Sequence, residues 1–173
     1  MIHDFKKSLL VLGGARSGKS RFAQAQAETV RGNLVYIATA QALDAEMEDR
    51  IAKHQSDRGP RWRTVEEPLD LAAAITTECG PNSVLLVDCL TLWASNLLFA
   101  QRDIATDLLA VTSAIATAKG RIIFVANEVG LGIVPDNVLA RRFRDAAGEI
   151  NQAIARTVDT AVFIAAGLPI WLK

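Results

Sequence analysis

Short apolar runs alternate with amphipathic segments along the whole chain, and this alternation predicts strands that alternate with helices. The runs at residues 7–12, 33–37, 83–88 and 121–126 are continuous enough to be strands buried on both faces. A further short strand is predicted at residues 62–65. Strands separated by helices favour an α/β fold, a three-layer sandwich in which helices cover both faces of a mainly parallel sheet.

The helices are predicted from the spacing of apolar residues and from the glycine and proline residues that follow them. In the second of them, Leu43, Met47 and Ile51 recur every four positions, which is typical of an amphipathic helix. The predicted helices cover residues 21–30, 42–57, 69–79, 92–100 and 103–119, and a long one lies within residues 135–158.

The end of the chain predicts an antiparallel hairpin. Its two strands, residues 160–166 and 170–173, lie on either side of Gly167-Leu168-Pro169. Since 173 residues suffice for a single core and no linker or repeat divides the sequence, we expect one domain over residues 1–173.

Composition restricts the class of function. The 19 lysine and arginine residues balance 19 aspartate and glutamate residues, so the net charge gives no indication of a nucleic-acid or membrane surface. The apolar runs are too short to span a bilayer. Cys79 and Cys89 do not have the spacing of a metal site, so we expect reduced thiols in a cytoplasmic protein.

A glycine-rich loop carries the clearest chemical signal. Residues 13–20 fit the phosphate-binding pattern Gly-x4-Gly-Lys-Ser, and they lie between a predicted strand and a predicted helix. Backbone N–H groups of such a loop cradle an anion at the helix N-terminus. In this pattern Lys19 reaches the β and γ phosphates as a catalytic cation, and the Ser20 hydroxyl binds Mg2+. The residues predicted to bind the nucleotide here are Gly13, Gly14, Ala15, Arg16, Ser17, Gly18, Lys19 and Ser20.

Asp88 is the first polar residue after the apolar run Val-Leu-Leu-Val. A carboxylate at the carboxyl end of a parallel strand faces the ligand crevice, and in phosphate-loop proteins an acid there coordinates Mg2+. We therefore predict that Asp88 is the second Mg2+ ligand. The alternative is that Asp88 caps the following helix, with Thr91 as the rival cap.

Three acidic residues and one histidine have both a functional and a structural interpretation. Glu128 follows the next buried strand and is either a third acid at the crevice or a loop residue. Glu66 and Glu67 either begin a helix or accept hydrogen bonds from a base or ribose. His54 continues the apolar stripe of its predicted helix, so it is either a packed side chain or a nucleophile or proton carrier.

Arginine and tryptophan residues are further candidates. One arginine cluster surrounds His54, and a second follows residue 140; each either clamps phosphates or is a solvated surface. The members are Arg50, Arg58, Arg61 and Arg63 in the first cluster and Arg141, Arg142 and Arg144 in the second. Trp62, Trp93 and the second cluster are also candidates for contacting a large organic substrate.

Several segments together resemble one enzyme family. Besides the loop at residues 13–20, they are Tyr-Ile-Ala-Thr-Ala (36–40), Arg-Ile-Ala-Lys-His (50–54), Trp-Arg-Thr-Val-Glu-Glu-Pro (62–68), Asn-Glu-Val-Gly-Leu-Gly-Ile-Val-Pro (127–135) and Arg-Arg-Phe-Arg-Asp-Ala-Ala-Gly-Glu-Ile-Asn-Gln (141–152). This set is similar to the bifunctional adenosylcobinamide kinase / adenosylcobinamide-phosphate guanylyltransferase family of cobalamin biosynthesis. The resemblance extends from the glycine loop to the C-terminus.

The resemblance implies a phosphate-loop NTPase fold and two reactions. In the first, a nucleoside triphosphate, ATP or GTP, phosphorylates adenosylcobinamide. In the second, a histidine takes GMP from GTP and passes it to the substrate phosphate, which gives adenosylcobinamide-GDP. The family's histidine corresponds to His54, which follows Lys53 where some members have a second histidine. The resemblance also implies a homotrimer. The charge balance and the short apolar runs predict neither a nucleic-acid partner nor membrane insertion.

Two other functions compete with this interpretation. A phosphate-loop kinase of another metabolite would transfer only the γ-phosphate and leave His54 idle. A nucleotide-gated switch would need to recognise the base, and no Asn-Lys-x-Asp guanine-reading motif is present in the sequence. Turnover with a small acceptor would distinguish an enzyme from a switch, and label from the α-phosphate would distinguish the two enzymes.

Overall fold

A computed structural model of the chain describes residues 5–41 and 59–173, and seven strands and five helices lie in this part. The strands are β1 (Ser8–Gly13), β2 (Asn33–Ala38), β3 (Trp62–Glu66), β4 (Ser83–Asp88), β5 (Arg121–Asn127), β6 (Thr160–Ala165) and β7 (Leu168–Trp171). The helices are α1 (Lys19–Thr29), α2 (Leu71–Glu78), α3 (Leu90–Phe99), α4 (Ile104–Thr117) and α5 (Val138–Thr157). The helix predicted at residues 42–57 lies outside the described residues.

The seven strands form one sheet in the order β3-β2-β4-β5-β1-β6-β7. All neighbouring strands are parallel except β6 and β7, which pair antiparallel at the edge. The predicted mainly parallel sheet with a C-terminal hairpin is therefore confirmed. This topology brings the carboxyl ends of β1, β4 and β5 to the same edge of the sheet, where open α/β sheets bind their ligands.

Helices cover both faces of the sheet, which explains why its central strands are apolar throughout. All six residues of β1 are buried. One face packs against α2, α3, α4 and α5, with Trp93 completely buried between them. The other face packs against α1 through Ala23 and Ala27. Each large apolar side chain buried in these layers contributes about 1.5–3 kcal/mol to folding.

Four helices begin one or two residues away from their predicted starts, the first helix among them. The first begins at Lys19 instead of residue 21, because Gly18, at φ 94°, is its N-cap and the loop turns directly into the helix. The last begins at Val138, within the predicted range 135–158, because the Asn137 side chain caps it by accepting a hydrogen bond from the Ala140 N–H at 2.7 Å. The first difference matters for function, since it places Lys19 and Ser20 in the first helical turn.

The turn of the C-terminal hairpin is shorter than predicted. Leu168 and Pro169 belong to β7, so that the turn consists of Ala166 and Gly167. Their φ angles are 51° and 81°, and two left-handed residues match the twist of a tight hairpin. Pro169 is tolerated because β7 is an edge strand, where a missing N–H costs no pairing to a further strand.

None of the helices in residues 5–41 and 59–173 has the length and apolar content needed to cross a membrane.

Candidate active site

The glycine loop connects β1 to α1 and is shaped by two left-handed residues. Arg16 has φ 55° and Gly18 has φ 94°, and the Ser17 N–H donates to the Gly14 carbonyl at 3.3 Å. Alternation of right- and left-handed residues turns successive N–H groups to one side, which forms an anion-binding concavity. A left-handed conformation is uncommon for a residue with a side chain, so the strain at Arg16 is typical of a functional loop.

Lys19 lies deep in this site although its side chain is charged. It is only 9% exposed, and its ammonium group donates to the Gly14 carbonyl at 3.2 Å. Ser20 follows it in the first turn of α1 and is partly exposed. The first N–H groups of a helix have no acceptor within that helix, so those of Lys19 and Ser20 remain for a ligand. The roles of Lys19 on phosphate and of Ser20 on Mg2+ stay predictions.

The loop opens into a cleft of about 780 Å³. Of the residues that the structure describes, three cationic ones line it, Arg16, Lys19 and Arg21, and no carboxylate does. The other lining residues are Ala15, Gly18, Ser20 and Asn127. A cleft of this size accommodates a nucleotide, and its charge favours an anionic ligand.

Gly13 begins the loop at a point where the backbone of β6 leaves no room for a side chain. A Cβ atom added there would lie 2.5 Å from Ser17 Oγ and 2.8 Å from the Ile164 carbonyl oxygen. The serine side chain could rotate away, but the carbonyl belongs to a strand that pairs with β1 on this side. The glycine is therefore required by close packing of the loop against the sheet.

We expect Gly13→Ala to lower the free energy of unfolding by about 1–3 kcal/mol, because a methyl group would force two backbone segments apart. Thermal or urea denaturation measures the change. Gly14→Ala is the matched control, since a Cβ added at Gly14 meets nothing within 4 Å. Equal stability of the two variants would contradict the close packing at Gly13.

Asp88 ends β4 at the same edge of the sheet and is partly exposed. Strand β5 lies between β4 and β1, so the Asp88 backbone is about 10 Å from the loop strand, given the usual spacing of strands. This separation leaves space for phosphates and a hydrated cation. Cys89 is the N-cap of α3, and the Thr91 hydroxyl accepts from the Asn127 N–H at 2.7 Å, so Thr91 is not the cap.

Hydrogen bonds to Thr39 hold the end of β4 in place. The Thr39 hydroxyl donates to the Cys89 carbonyl and accepts from the Cys89 N–H, both at 2.8 Å. The Thr39 N–H donates to the Asp88 carbonyl at 3.3 Å. Burial, followed by the negative charge of Asp88, raises the pKa of the Cys89 thiol to about 11. Cys89 is thus protonated at neutral pH, and it forms no disulfide, nor does the buried Cys79.

Asn127 is a cleft residue that the sequence analysis did not single out. It ends β5, between the strands that carry Asp88 and Gly13. Its backbone carbonyl accepts from the Asn151 side chain at 3.2 Å. Its side-chain Oδ1 is buried without a hydrogen-bond partner in the described structure. The sequence did contain one indication that Asn127 lies in the cleft, because it is the first polar residue after an apolar strand.

Glu128 has a local structural role instead of lining the cleft. Its carboxylate accepts from the Gly130 N–H at 2.7 Å, and its own N–H donates to the Gly13 carbonyl at 3.1 Å. These contacts are those expected if Glu128 is a loop residue, the second of the two alternatives given for it. They also support the glycine loop from the side of β5.

Glu66 and Glu67 differ in role although they are adjacent. The Glu67 carboxylate accepts from the N–H groups of Leu69 and Asp70, at 3.0 and 2.7 Å, and this turn makes α2 begin at Leu71 instead of residue 69. Glu66 ends β3 with an exposed side chain, in register with Ala38 of β2. Only Glu66 therefore remains a candidate contact for a nucleotide.

Trp93 is a core residue and is excluded as a surface contact to substrate. Its side chain is fully buried, and its indole N–H donates to the Leu69 carbonyl at 2.8 Å. Trp62 is partly exposed, donates to Glu28 at 3.0 Å and contacts the Tyr36 ring edge-on.

Three arginines of the two clusters, Arg63, Arg141 and Arg144, have structural partners. Arg63 forms an ion pair with Glu78. Arg141 donates to the carbonyls of Pro135 and Asp136, and Arg144 pairs with Asp145 at 3.2 Å. Arg50, Arg58 and the predicted nucleophile His54 lie outside the described residues.

A family model and two relatives of known function all match nearly the whole chain. The model of a family described as cobinamide kinase / cobinamide phosphate guanyltransferase matches residues 9–172. The bifunctional adenosylcobalamin biosynthesis protein CobP of Pseudomonas aeruginosa is 49% identical over 166 residues, which cover 95% of this chain and 96% of that protein. The bifunctional protein CobU of Salmonella typhimurium is 38% identical over 180 residues, which cover 95% and 99%.

Solved structures with a similar fold are much more distant in sequence. The flagellar accessory protein FlaH of Methanocaldococcus jannaschii has a TM-score of 0.53 and 14% identity, over 98% of this chain and 79% of that one. An ATPase of a bacterial type III secretion system has a TM-score of 0.54 and 12% identity, over 96% and 57%. These likenesses show the fold of phosphate-loop NTPases.

Proposed function

The chain belongs to the cobinamide kinase / cobinamide phosphate guanyltransferase family, and from this premise we propose how its residues carry out the two reactions. It is an enzyme of cobalamin biosynthesis that phosphorylates adenosylcobinamide and then transfers GMP to the phosphate formed. The observation that carries the proposal is the glycine loop, whose N–H groups and buried Lys19 face a cationic cleft of nucleotide size. The same loop binds the donor in both reactions, because both reactions use a nucleoside triphosphate.

In the kinase reaction the acceptor hydroxyl oxygen attacks the γ-phosphorus of the nucleotide. A new P–O bond forms, the bond between the γ-phosphorus and the β–γ bridging oxygen breaks, and the nucleoside diphosphate leaves. The hydroxyl proton passes to solvent as the bond forms. Lys19 and the loop N–H groups stabilise the charge that develops on the leaving oxygens.

In the transferase reaction an imidazole nitrogen of His54 attacks the α-phosphorus of GTP. A P–N bond forms and pyrophosphate leaves; a phosphate oxygen of adenosylcobinamide phosphate then attacks the same phosphorus and breaks the P–N bond. The product is adenosylcobinamide-GDP, and the histidine is restored. Covalent transfer of this kind divides one displacement into two easier ones. The family resemblance of residues 50–54 supports His54 in this role.

Mg2+ fits two oxygen groups at the carboxyl edge of the sheet, one in the cleft and one at the end of β4. The Ser20 hydroxyl and the Asp88 carboxylate are hard oxygen donors, and the described residues contain no group of three or more His, Cys, Asp or Glu side chains that could hold a metal. Mg2+ usually takes only one or two protein ligands and keeps phosphates and waters as the rest, which suits this donor set. When bound, it would neutralise phosphate charge.

We expect Asp88→Asn to reduce kcat/KM of both reactions on the order of 10²-fold, because an amide is a much weaker ligand for Mg2+ than a carboxylate. Titration with MgCl2 should also show a higher half-saturating concentration. Asp70→Asn is the control, since Asp70 is an exposed carboxylate that pairs with Arg102. An unchanged Mg2+ dependence in Asp88→Asn would exclude this residue as a metal ligand.

Labelled nucleotides test the proposed function directly. With ATP labelled at the γ-phosphate, label should appear in adenosylcobinamide phosphate. With GTP labelled at the α-phosphate, label should appear first on the protein and then in adenosylcobinamide-GDP. A kinase without transferase activity, the competing function, would give only the first result.

Three further features belong to the same proposal. Glu66 would accept a hydrogen bond from the ribose or base, which its exposed position at the carboxyl end of β3 supports. The buried thiols and the nucleotide substrates are consistent with a cytoplasmic enzyme.

The homotrimer stays a prediction. The exposed apolar side chains of Leu131, Ile133 and Val134 support an interface between subunits.

A further inference from the structure

The turn between β6 and β7 contacts the glycine loop from the edge of the sheet. Because β6 pairs with β1 in parallel, its carboxyl end lies beside the carboxyl end of β1, where the loop begins. The Gly167 N–H donates to the Ser17 carbonyl at 2.9 Å. A C-terminal hairpin thus binds the loop 150 residues earlier in the sequence.

Both ends of the loop are packed against this hairpin. At the first end, the Ile164 carbonyl oxygen lies 2.8 Å from where a Cβ of Gly13 would be. At the second end, the Cα of Gly167 lies 3.4 Å from where a Cβ of Gly18 would be. Behind the loop, Phe22 of α1 meets Trp171 of β7 edge-on, with ring centroids 6.2 Å apart. The hydrogen bond is therefore part of a continuous contact.

The geometry of the peptide bond connects this contact with the ligand. In a trans peptide the C=O and the following N–H point in opposite directions. A Ser17 carbonyl that points to Gly167 therefore turns the Gly18 N–H away from the hairpin. Gly18 lines the cleft. We propose that Gly167 is a positioning residue for the nucleotide, whose N–H orients the Ser17–Gly18 peptide so that the Gly18 N–H donates to the phosphates.

The conformation of the turn determines which substitutions test this role. Gly167 has φ 81°, and a Cβ added there would meet nothing within 4 Å. A side chain is thus limited by backbone conformation and not by space. Valine is strongly disfavoured at this φ, whereas asparagine adopts it more readily and keeps the N–H.

Affinity for GDP in the presence of Mg2+ is the first measurement, since it requires no catalysis. We expect Gly167→Val to raise the dissociation constant about tenfold, the value of a typical hydrogen bond, and Gly167→Asn to restore most of the affinity. Ile115→Val, a mild change in the buried face of α4, controls for general loss of stability. Wild-type affinity in a folded Gly167→Val variant would overturn the proposal.

Hydrogen exchange on the wild-type protein provides a second readout that a merely structural turn would not give. Bound GDP should slow exchange of the Gly167 N–H, because the nucleotide fixes the peptide that accepts its bond. The Leu172 N–H, which donates to the Ala161 carbonyl at the far end of the hairpin, should not change. Equal exchange of Gly167 with and without GDP would overturn the proposal even if the valine variant did not fold. The inference rests on the proposed binding of the nucleotide by the loop. If the wild-type protein bound no GDP at all, that result would contradict nucleotide binding by the loop and not the role of Gly167.

Discussion

The His54→Ala variant should lose guanylyl transfer by a factor on the order of 10⁴ to 10⁶ and keep its kinase activity near that of the wild type. The alanine removes the proposed nucleophile of the transferase reaction, whereas the kinase reaction uses the acceptor hydroxyl as its nucleophile. Incubation with Mg2+ and GTP labelled at the α-phosphate measures the first effect. Label on the wild-type protein should be acid-labile and alkali-stable, as expected of a phosphoramidate, and should be absent from the variant.

Lys53→Ala is the matched control for His54→Ala, because it changes the adjacent residue and leaves the imidazole. This control should still become labelled. Label that persists in His54→Ala would show that another residue is the nucleophile. If the wild type binds GTP and never becomes labelled, only the kinase function remains, and His54 is a packed side chain.

Lys19→Met should lower kcat/KM of both reactions by a factor on the order of 10² to 10³. Methionine retains most of the length of the side chain and removes its charge, so the developing charge on the phosphate oxygens loses its buried cation. Lys19 is almost fully enclosed and donates to the Gly14 carbonyl. A charge held in such a site acts more strongly than one in water, because the surrounding dielectric constant is lower.

Initial rates of the two reactions, measured separately, test this prediction. Lys119→Met provides the control, since Lys119 is an exposed lysine that precedes the amino end of β5. Thermal denaturation should show that Lys19→Met is folded, because burial of a neutral side chain avoids the desolvation of a charge. Loss of only one of the two activities would contradict the use of one loop for both.

The contrast between the two variants distinguishes shared from separate parts of the machinery. His54→Ala is expected to divide the activities, whereas Lys19→Met is expected to affect both together. The reason for this difference is that each reaction has its own nucleophile, whereas both have a nucleoside triphosphate as donor. A common cradle with two nucleophiles is therefore the simplest arrangement consistent with the family and with the cleft.

The strands and the loop were largely predictable from the sequence. Strand β4 has the predicted bounds, β1 is shifted by one residue, and β2, β3 and β5 each end one residue later than predicted. These strands are recognisable because burial on both faces requires continuous apolar residues. The phosphate loop was recognisable because its chemistry requires consecutive residue types at a fixed spacing, which one segment of chain contains completely.

Roles that depend on partners far away in the chain were not predictable. Thr91 resembled a helix cap, and it accepts instead from the backbone of Asn127. Trp93 resembled a substrate contact, and it is a core residue. In each case the residue type allowed several partners, and the packing of separate elements selected one.

By itself the sequence determined the class of ligand, the α/β fold and the residues that can hold phosphate, because these depend on local spacing and on the alternation of apolar runs. Only the tertiary structure decided that β5 separates Asp88 from the loop, that Asn127 enters the cleft and that Gly167 holds the Ser17 carbonyl. The reason is physical. Strand order is a property of long-range pairing, and the hydrogen bond from Gly167 to Ser17 exists only after β6 has paired with β1.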